Sequence, residues 1–236
     1  MKKILSYMRR AIADYSMISQ GDKIAVGVSG GKDSVTLLCG LARLRSIIGI
    51  DFSLVAITLD PGFNGAQTDY SPIEALCGEL SVPYIVKRTQ IGEVVFNIRK
   101  ETNPCSLCAK MRRGALHDAA KEAGCNKVAL GHHYDDAVET FMMNLFNEGR
   151  VGCFQPVTYL SRKDITLIRP LIYAPERDIK STVNRCELPV VKSLCPADGV
   201  TERTRMKEYI KNLEHERHGI KKLIFGAMQR GHISGW

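Results

Sequence analysis

The chain of 236 residues has no apolar run that approaches the roughly 18 residues needed to cross a bilayer. Its first residues also lack the apolar segment of a signal peptide, because Arg9, Arg10 and Asp14 follow soon after Met1. We therefore expect a cytoplasmic protein without a membrane partner. In that reducing compartment the eight cysteines are not a disulfide framework, so those that cluster need a metal or catalytic explanation.

The sequence shows no internal repeat, no low-complexity tract and no change of composition that would mark a flexible linker. Its length suits one α/β domain with a helical appendix. We expect an N-terminal helix in residues 1–20, the main domain in residues 21–173, and a helical extension packed on it in residues 174–236. Apolar spacing predicts that the first helix occupies residues 2–19 and ends at Gly21.

The formal net charge of +8 favours an anionic partner. Charge alone does not separate a nucleic acid from a membrane surface, or from a basic protein that is merely soluble.

Four apolar segments read as buried parallel strands and alternate with segments of helical periodicity. They are residues 23–28, 52–59, 84–86 and 128–130. Alternation of this kind predicts an α/β fold with a doubly wound parallel sheet, followed by a helical C-terminal extension. Because ligands of such sheets bind beyond the carboxyl ends of the strands, the residues that follow each strand are the candidates for a site.

The first strand is followed by Ser29-Gly30-Gly31-Lys32-Asp33-Ser34 and then by a helical segment. A glycine-rich turn at this place directs backbone N–H groups and the positive end of the helix dipole at a ligand above the strand. The side chains of Ser29, Lys32 and Ser34 add further donors. We call residues 29–34 the phosphate loop, because these features together suit a polyphosphate; a plain surface turn is the alternative.

The phosphate loop is not a Walker A motif, which needs a glycine where Val26 stands and a serine or threonine where Asp33 stands. An acid inside a phosphate loop is unfavourable without a cation, so Asp33 indicates Mg²⁺ beside the phosphates. The hexapeptide resembles the PP-loop of the ATP pyrophosphatases. That resemblance implies cleavage of ATP between its α and β phosphates and an adenylated intermediate.

A second group of polar residues, Gly131-His132-His133-Tyr134-Asp135-Asp136, follows the fourth strand and opens a helix. Taken singly, Asp135 or Asp136 is more simply explained as a helix cap. Two adjacent acids at the ligand edge of the sheet can instead complete the Mg²⁺ site that Asp33 begins, with Glu139 on the same helical face. The segment resembles the G-H-x-x-D-D motif of PP-loop enzymes that act on tRNA.

Cys105 and Cys108 form a C-x-x-C motif at the start of a long helix, which favours lowered thiol pKa values and either redox exchange or metal ligation. Cys195 lies in a polar, turn-like stretch, residues 192–196. Such a set poorly supports a zinc ribbon, whereas three thiolates can hold a 4Fe-4S cluster that keeps one iron open. The other cysteines read mostly as small core residues: Cys39, Cys77, Cys125, Cys153 and Cys186.

The run from Cys105 to Gly114, taken with both polar motifs, Arg169-Pro170-Leu171-Ile172-Tyr173 and the late Cys195, is similar to the tRNA 2-thiocytidine biosynthesis family. The resemblance extends from about residue 15 to residue 228. It implies a cytoplasmic, ATP-dependent tRNA sulfurtransferase that replaces the C2 oxygen of cytidine 32 in the anticodon loop by sulfur. Its cofactors would be a 4Fe-4S cluster on Cys105, Cys108 and Cys195, and Mg²⁺.

The resemblance also assigns roles to individual residues. The catalytic residues would be Lys32, Asp33 and Asp136, of which Asp33 and Asp136 hold Mg²⁺. The ATP contacts would be Ser29, Gly30, Gly31, Lys32, Asp33, Ser34, Asp60, Gly131 and His132. Arg112 and Arg113 would meet tRNA phosphates, with a solvated helix face as the equal alternative.

The expected partners are tRNA and a cysteine desulfurase that supplies sulfur, while the oligomeric state, with a homodimer as one option, stays open. Other readings also remain. A related thiolase would act on another tRNA base or a small molecule, and a tRNA-lysidine-type ligase would need no cysteine triad. An RNA-binding iron–sulfur or redox sensor would need no phosphate loop.

Overall fold

The computed structural model describes residues 1–63, 67–99, 104–192, 194–195 and 202–236. In these ranges the strands are β1 (Asp22–Gly27), β2 (Phe52–Asp60), β3 (Tyr84–Arg88), β4 (Lys127–Ala129), β5 (Val157–Leu160) and β6 (Ile165–Ile168). The α-helices are α1 (Lys2–Asp14), α2 (Lys32–Leu44), α3 (Ser71–Glu79), α4 (Pro104–Glu122), α5 (Tyr134–Glu148), α6 (Glu176–Arg185), α7 (Glu202–Glu216) and α8 (Ile220–Arg230). A π-helical segment, Glu93–Ile98, precedes α4, and a 3-10 turn, Ile233–Gly235, follows α8.

The six described strands form one sheet in the order β3-β2-β1-β4-β6-β5. All neighbours pair in parallel except β5 and β6, which are antiparallel. Residues 161–164 alone separate β5 from β6, and a link of that length allows a hairpin but not a parallel crossover. The predicted doubly wound parallel sheet is confirmed, with one antiparallel edge strand added.

Both faces of the sheet are covered, as the unbroken apolar strands require. Along β1 the side chains of Ile24 and Val26 belong to the main core, whereas Ala25 between them belongs to a second core on the opposite face. The main core contains the buried leucines of α2, and the second contains Ala119 and Ala120 of α4. The phosphate loop therefore begins at the end of a strand that is packed from both sides.

Helix α1 is shorter than the sequence predicts. It ends at Asp14, and Ser16 takes a left-handed backbone conformation with φ of +46°. That reversal folds Met17 and Ile18 back into the main core, where both are buried. Met17 and Ile18 have the spacing of a helix but reach the core through the turn at Ser16. The prediction that Gly21 ends the helix was therefore wrong.

The C-terminal segment forms two helices, α7 and α8, which separate at Gly219 with φ of +86°. Residues from both ends of the chain share the main core, including Ile4 and Met8 of α1 and Phe225 and Met228 of α8. Both ends of the chain thus pack into the core that also covers one face of the sheet. Among the described residues, no helix is long and apolar enough to span a membrane.

Candidate active site

The phosphate loop connects β1 to α2 and turns at Gly30, whose φ is +83°. A Cβ atom on Gly30 would lie 2.9 Å from Cβ of Val191, so conformation and packing both require glycine here. The Ser34 hydroxyl donates to the Gly31 carbonyl at 2.9 Å and accepts from the Ser29 N–H at 3.2 Å. In the described part of the chain no side chain caps α2 at Gly31, so its first-turn amides suit an anion.

Lys32 and Asp33 form a charged pair at the start of α2. Lys32 Nζ lies 2.8 Å from Asp33 Oδ2 and 3.2 Å from Oε1 of Glu176. Burial lowers the pKa of Lys32, but the hydrogen bond and charge of Asp33, together with Glu176, raise it overall. Lys32 is therefore firmly cationic, as a ligand for phosphate must be.

The second polar motif approaches the phosphate loop at Gly131. A Cβ atom there would lie 3.2 Å from the Asp33 carbonyl carbon, which fixes a close approach of the two backbones. His133 is the N-cap of α5 and forms a capping box with Asp136, because the His133 N–H donates to Asp136 Oδ2 at 2.9 Å. The His133 ring stands between two acids, with Nδ1 3.5 Å from Asp136 and Nε2 3.6 Å from Asp33.

Asp135 and Asp136 have different positions although they are adjacent in sequence. Asp135 is 7% exposed, accepts the backbone N–H of Glu176 at 2.7 Å and receives Lys221 Nζ at 2.7 Å. It connects α5 to α6 and α8. Asp136 faces the phosphate loop through His133, so it is the acid of this pair that the fold brings near Asp33.

Asp33 and Asp136 fit the donor set that Mg²⁺ takes beside phosphates, namely one or two carboxylates completed by phosphate and water oxygens. The structural observation that supports this fit is Asp33 Oδ1, which is buried without a hydrogen-bond partner among the described residues. Within the same part of the chain, no three His, Cys, Asp or Glu side chains are arranged to hold a metal ion. A metal here would depend on the ligand's own oxygens.

A cavity of about 390 Å³, which we call the loop cavity, opens beside these residues. Its polar wall includes Ser29, Asp33 and His132, and its apolar wall includes the side chains of Ile57 and Leu130. Burial and then the charge of a neighbouring arginine lower the pKa of His132 to about 4, so the ring is neutral at pH 7. A polar end and an apolar slot together suit a nucleotide.

Arg112 and Arg113 of α4 line the loop cavity. Arg113 is exposed and Arg112 half-buried, so both guanidinium groups stand at the mouth between cavity and solvent. Arg112 also borders a smaller cavity of about 240 Å³ with Lys192 and Leu194. Their contact with tRNA stays a prediction, and this position suits either phosphates of a nucleotide or those of RNA.

The fold brings the predicted cysteine triad together. Cys105 and Cys108 lie in the first turn of α4, and Cys195 packs against the same apolar cluster as Cys108, beside Phe63 and Val95. Both other thiols act electrostatically on Cys108, which places all three in one neighbourhood. Cys108 and Cys195 lie in this apolar cluster and Cys105 is exposed beside it; thiolates are the donors that an iron–sulfur cluster takes. Of the predicted polar turn, residues 193 and 196 lie outside the described residues.

One expectation for these cysteines is wrong. The helix start predicts a lowered thiol pKa, yet burial raises the pKa of Cys108, and the thiols of Cys195 and Cys105 raise it further against the opposing charge of Arg112. Cys108 is only 7% exposed, so loss of solvation outweighs the helix dipole. Without a metal this thiol is a poor nucleophile.

Asp60 has a different surrounding from the other predicted ATP contacts. It is 2% exposed, pairs with Arg88 Nη1 at 2.9 Å and accepts the backbone N–H groups of Gly62 and Thr68. These bonds shape the turn after β2, and Asp60 is not part of the loop cavity wall. A contact of Asp60 with ATP stays a prediction.

Sequence reasoning missed three residues that the fold adds to the site. Glu176 binds Lys32, Arg203 lies 3.1 Å from Asp136 and 3.6 Å from Glu139, and Arg169 lies in the adjoining pocket. Burial and the charge of Asp136 raise the pKa of Glu139 to about 7. The only local signal was Arg169 in the Arg-Pro-Leu motif, to which no role was given.

Comparison with known proteins agrees with this geometry. Residues 3–213 match the family model of the PP-loop domain. The tRNA-cytidine(32) 2-sulfurtransferase of Pelobacter propionicus is 41% identical over 94% of this chain and 83% of its own length, and that of Geobacter metallireducens is 40% identical over 96% and 89%.

A solved structure is also similar along most of its length. The U34-tRNA thiolase NcsA from Methanococcus maripaludis, solved with its [4Fe-4S] cluster, has a TM-score of 0.80 and 27% identity over 97% of this chain and 77% of that one. The family match and the identity to the relatives agree with the shared fold. The chain therefore belongs to the PP-loop domain family and, within it, to the family of the tRNA-cytidine(32) 2-sulfurtransferases.

Proposed function

We propose that this protein is an ATP-dependent tRNA sulfurtransferase that replaces the C2 oxygen of cytidine 32 in the anticodon loop by sulfur. The observation that carries the proposal is the convergence of three motifs on one edge of the sheet. The phosphate loop and His133–Asp136 face each other, while α4, which begins with the segment that holds Cys105 and Cys108, lines the same cavity through Ala109 and Arg112. The relatives of about 40% identity bear the name of this activity.

In the first step the C2 oxygen of the base attacks the α-phosphorus of ATP, and pyrophosphate leaves. Lys32, the amides of the phosphate loop and the first-turn amides of α2 offset the negative charge that accumulates on pyrophosphate. Mg²⁺ held by Asp33 and Asp136 would neutralise part of the same charge. The His133 ring between the two acids fixes their separation.

In the second step a sulfide attacks C2, its proton goes to solvent and AMP leaves with the former base oxygen, so adenylation supplies the leaving group that a carbonyl lacks. A 4Fe-4S cluster on Cys105, Cys108 and Cys195 would supply an iron without a protein ligand as the place for that sulfur. The raised pKa of the Cys108 thiol argues against direct attack by this residue. We propose a cysteine desulfurase as the sulfur source, with a thiol reductant that supplies the two electrons needed to bring its persulfide sulfur to sulfide. We also propose a cytoplasmic location and, for the assembly, a homodimer as the first option to test.

Two alternatives differ only in the substrate, which would be another tRNA base or a small molecule. The solved structural relative is a thiolase of U34, so another tRNA base is the first alternative. A tRNA-lysidine-type ligase would not use Cys105, Cys108 and Cys195, and a non-catalytic sensor would not use the phosphate loop.

Nucleoside mass analysis decides between these readings. Transfer RNA from cells with and without the gene is digested and compared, and we expect 2-thiocytidine to disappear without the gene. Purified protein, prepared without oxygen, should convert ATP to AMP and pyrophosphate when tRNA is present. Release of ADP and orthophosphate, or loss of a 2-thiouridine instead, would contradict the proposed reaction or its base.

A further inference from the structure

A second cavity adjoins the loop cavity. It has a volume of about 570 Å³ and shares Arg113, Leu130 and His132 with the loop cavity, but no residue of the phosphate loop. We call it the Arg169 pocket. Among the described residues, its wall contains three arginines, two histidines and no carboxylate. Such a wall suits a ligand that is anionic or that accepts hydrogen bonds.

Arg169 is the most unusual of these residues because its charge is buried without a counter-ion. Arg169 is 6% exposed, and no carboxylate among the described residues pairs with it. Its Nη1 donates to the Gln155 carbonyl and to Thr158 Oγ1 at 3.3 Å, and the guanidinium stacks on the Phe154 ring at 5.0 Å. Its Nε is buried and has no partner in the described part of the chain.

Two histidines in the same wall repeat this pattern. Nε2 of His117 and Nδ1 of His132 are also buried without a hydrogen-bond partner among the described residues. Burial lowers the pKa of both rings, so each is neutral at pH 7 and has one N–H to donate. Buried polar atoms in native proteins are nearly always satisfied, and an unpartnered set in one pocket indicates a ligand.

We propose that the Arg169 pocket binds a backbone phosphate of the RNA substrate. Guanidinium groups bind phosphate through paired hydrogen bonds, and a phosphate supplies the negative charge that Arg169 lacks. The phosphates of ATP already have donors in the phosphate loop, which does not reach this pocket. This inference rests on the proposed function, since it needs an RNA substrate.

The position of the Arg169 pocket along α4 indicates which phosphate of the RNA it would bind. His117 stands nine residues after Cys108, which is about 14 Å along the helix at 1.5 Å per residue. That distance is too long for the base that reacts beside the cysteines. It suits a phosphate a few nucleotides away in the same strand, so the pocket would position the loop and not take part in the chemistry.

The test is the salt dependence of RNA binding by Arg169→Gln. An anticodon stem-loop RNA is titrated without ATP at several salt concentrations, and we expect affinity to fall about tenfold and the slope of log affinity against log salt to decrease by about one. ATP affinity, measured without RNA, should stay at the wild-type value. Arg162→Gln is the matched control, because it removes the same charge from an exposed turn between β5 and β6.

A second variant covers the case in which Arg169→Gln folds poorly. Thr158→Glu places a carboxylate next to Arg169, where Thr158 Oγ1 now lies 3.3 Å from Nη1. It gives Arg169 the missing counter-ion, so we expect an unfolding temperature at or above that of the wild type together with the same loss of RNA affinity. A purely structural arginine would leave RNA affinity unchanged in this variant.

The outcomes separate the pocket from the proposed function. Wild-type RNA affinity and slope in Thr158→Glu and in folded Arg169→Gln overturn the pocket, even if the wild type thiolates tRNA. Weaker ATP binding with unchanged RNA binding also overturns it and assigns the phosphate to ATP. A wild type that binds RNA with an Arg169-dependent slope, but adds no sulfur, leaves the pocket standing and overturns the proposed function.

Discussion

Among single residues, Asp33 has the most informative surroundings, because its two oxygens differ. Oδ2 receives Lys32 at 2.8 Å, whereas Oδ1 is buried without a hydrogen-bond partner in the described chain and lies 3.6 Å from His133 Nε2. A carboxylate oxygen held in this way costs free energy unless a ligand satisfies it. We infer that Asp33 is arranged for a cation and that Lys32 moves to phosphate when the cation binds.

Replacement of Asp33 tests this reading. We expect Asp33→Asn to lower the rate of pyrophosphate release by about 100-fold or more, because the amide keeps the shape of the side chain but not its charge. The free energy of unfolding should change by no more than about 0.5 kcal/mol, since the side chain is partly exposed. Asp118→Asn, an exposed acid on α4 that pairs with Lys163, is the control. A wild-type rate in Asp33→Asn would contradict the role.

The cysteines allow a matched comparison as well. Anaerobic protein should contain about four irons per chain, and Cys195→Ala should lose iron and thiolation together, because two thiolates do not hold the cluster. Cys125→Ala should keep both, since Cys125 is buried in the second core on the other face of the sheet. Iron that persists in Cys195→Ala, or one zinc per chain in the wild type, would exclude a cluster on these three cysteines.

Among the helices, α6 has the clearest effect on the site. Its first residue, Glu176, lies 3.2 Å from Lys32 of the phosphate loop and 2.6 Å from Lys207 of α7, and its backbone N–H donates to Asp135 of α5. Through its carboxylate and its backbone N–H, Glu176 thus joins α5, α6 and α7 to the phosphate loop. The arrangement sets where Lys32 stands before a nucleotide arrives.

The pKa of Glu176 makes this link measurable. Burial raises it, but the hydrogen bonds and charges of Lys207 and Lys32 outweigh burial and lower it to about 2, from an ordinary value of 4.5. A lowered folded-state pKa stabilises the protein above pH 4.5, and that contribution disappears as the pH falls towards 2. We expect Glu176→Gln to lower the free energy of unfolding by about 2–3 kcal/mol at pH 7 and by much less at pH 3.

Chemical denaturation of the nucleotide-free protein at the two pH values provides the measurement. Glu122→Gln is the control, because Glu122 is an exposed partner of Lys87 and should contribute less than about 1 kcal/mol at either pH. An equal effect of Glu176→Gln at pH 7 and pH 3 would show that packing, and not charge, explains its loss.

The sequence predicted the elements whose signals are local. The apolar run before Ser29 and the glycines after it predict strand, loop and helix, because strand burial and turn geometry depend on neighbours in the chain. The end of α1 was missed, since Met17 and Ile18 keep helical spacing while packing after a turn at Ser16.

Contacts that arise only from folding were beyond the sequence. Glu176 reaches Lys32, and Arg169 lines one pocket with His117, through the arrangement of distant segments that no local pattern encodes. Burial of Cys108 under Phe63 and Val95 likewise reverses the pKa shift that its place at a helix start predicts. Long-range packing decides electrostatics in each of these cases.

At the scale of the whole molecule, the net charge of +8 matters through the basic residues that lie beside the site. Arg112 and Arg113 stand at the mouth of the loop cavity, so we expect Arg112→Gln combined with Arg113→Gln to weaken tRNA binding and to flatten its salt dependence. Lys110→Gln combined with Lys211→Gln removes two exposed charges and is the control. An unchanged slope in the arginine variant would return both residues to a solvated helix face.

The packing of both chain ends into one core predicts a single unfolding transition. Trp236, the one tryptophan of the sequence, is 6% exposed and donates its Nε1–H to the Phe154 carbonyl at 2.9 Å. The centre of its ring lies 5.2 Å from that of Phe225 of α8 and 6.5 Å from that of Tyr15, just after α1. Its fluorescence therefore reports on the contact between the last helices, the first helix and the sheet.

We expect the fluorescence of Trp236 and the far-ultraviolet circular dichroism to give the same midpoint in a urea titration, because a shared core unfolds as one unit. Trp236→Phe should lower the free energy of unfolding by about 1 kcal/mol, because the hydrogen bond to Phe154 is lost. Circular dichroism should show this loss as a lower urea midpoint. Fluorescence that changes at lower urea than the dichroism would show that residues 174–236 detach first. In that case the extension would be a separate unit, and Glu176 and Arg203 would leave Lys32 and Asp136 before the sheet unfolds.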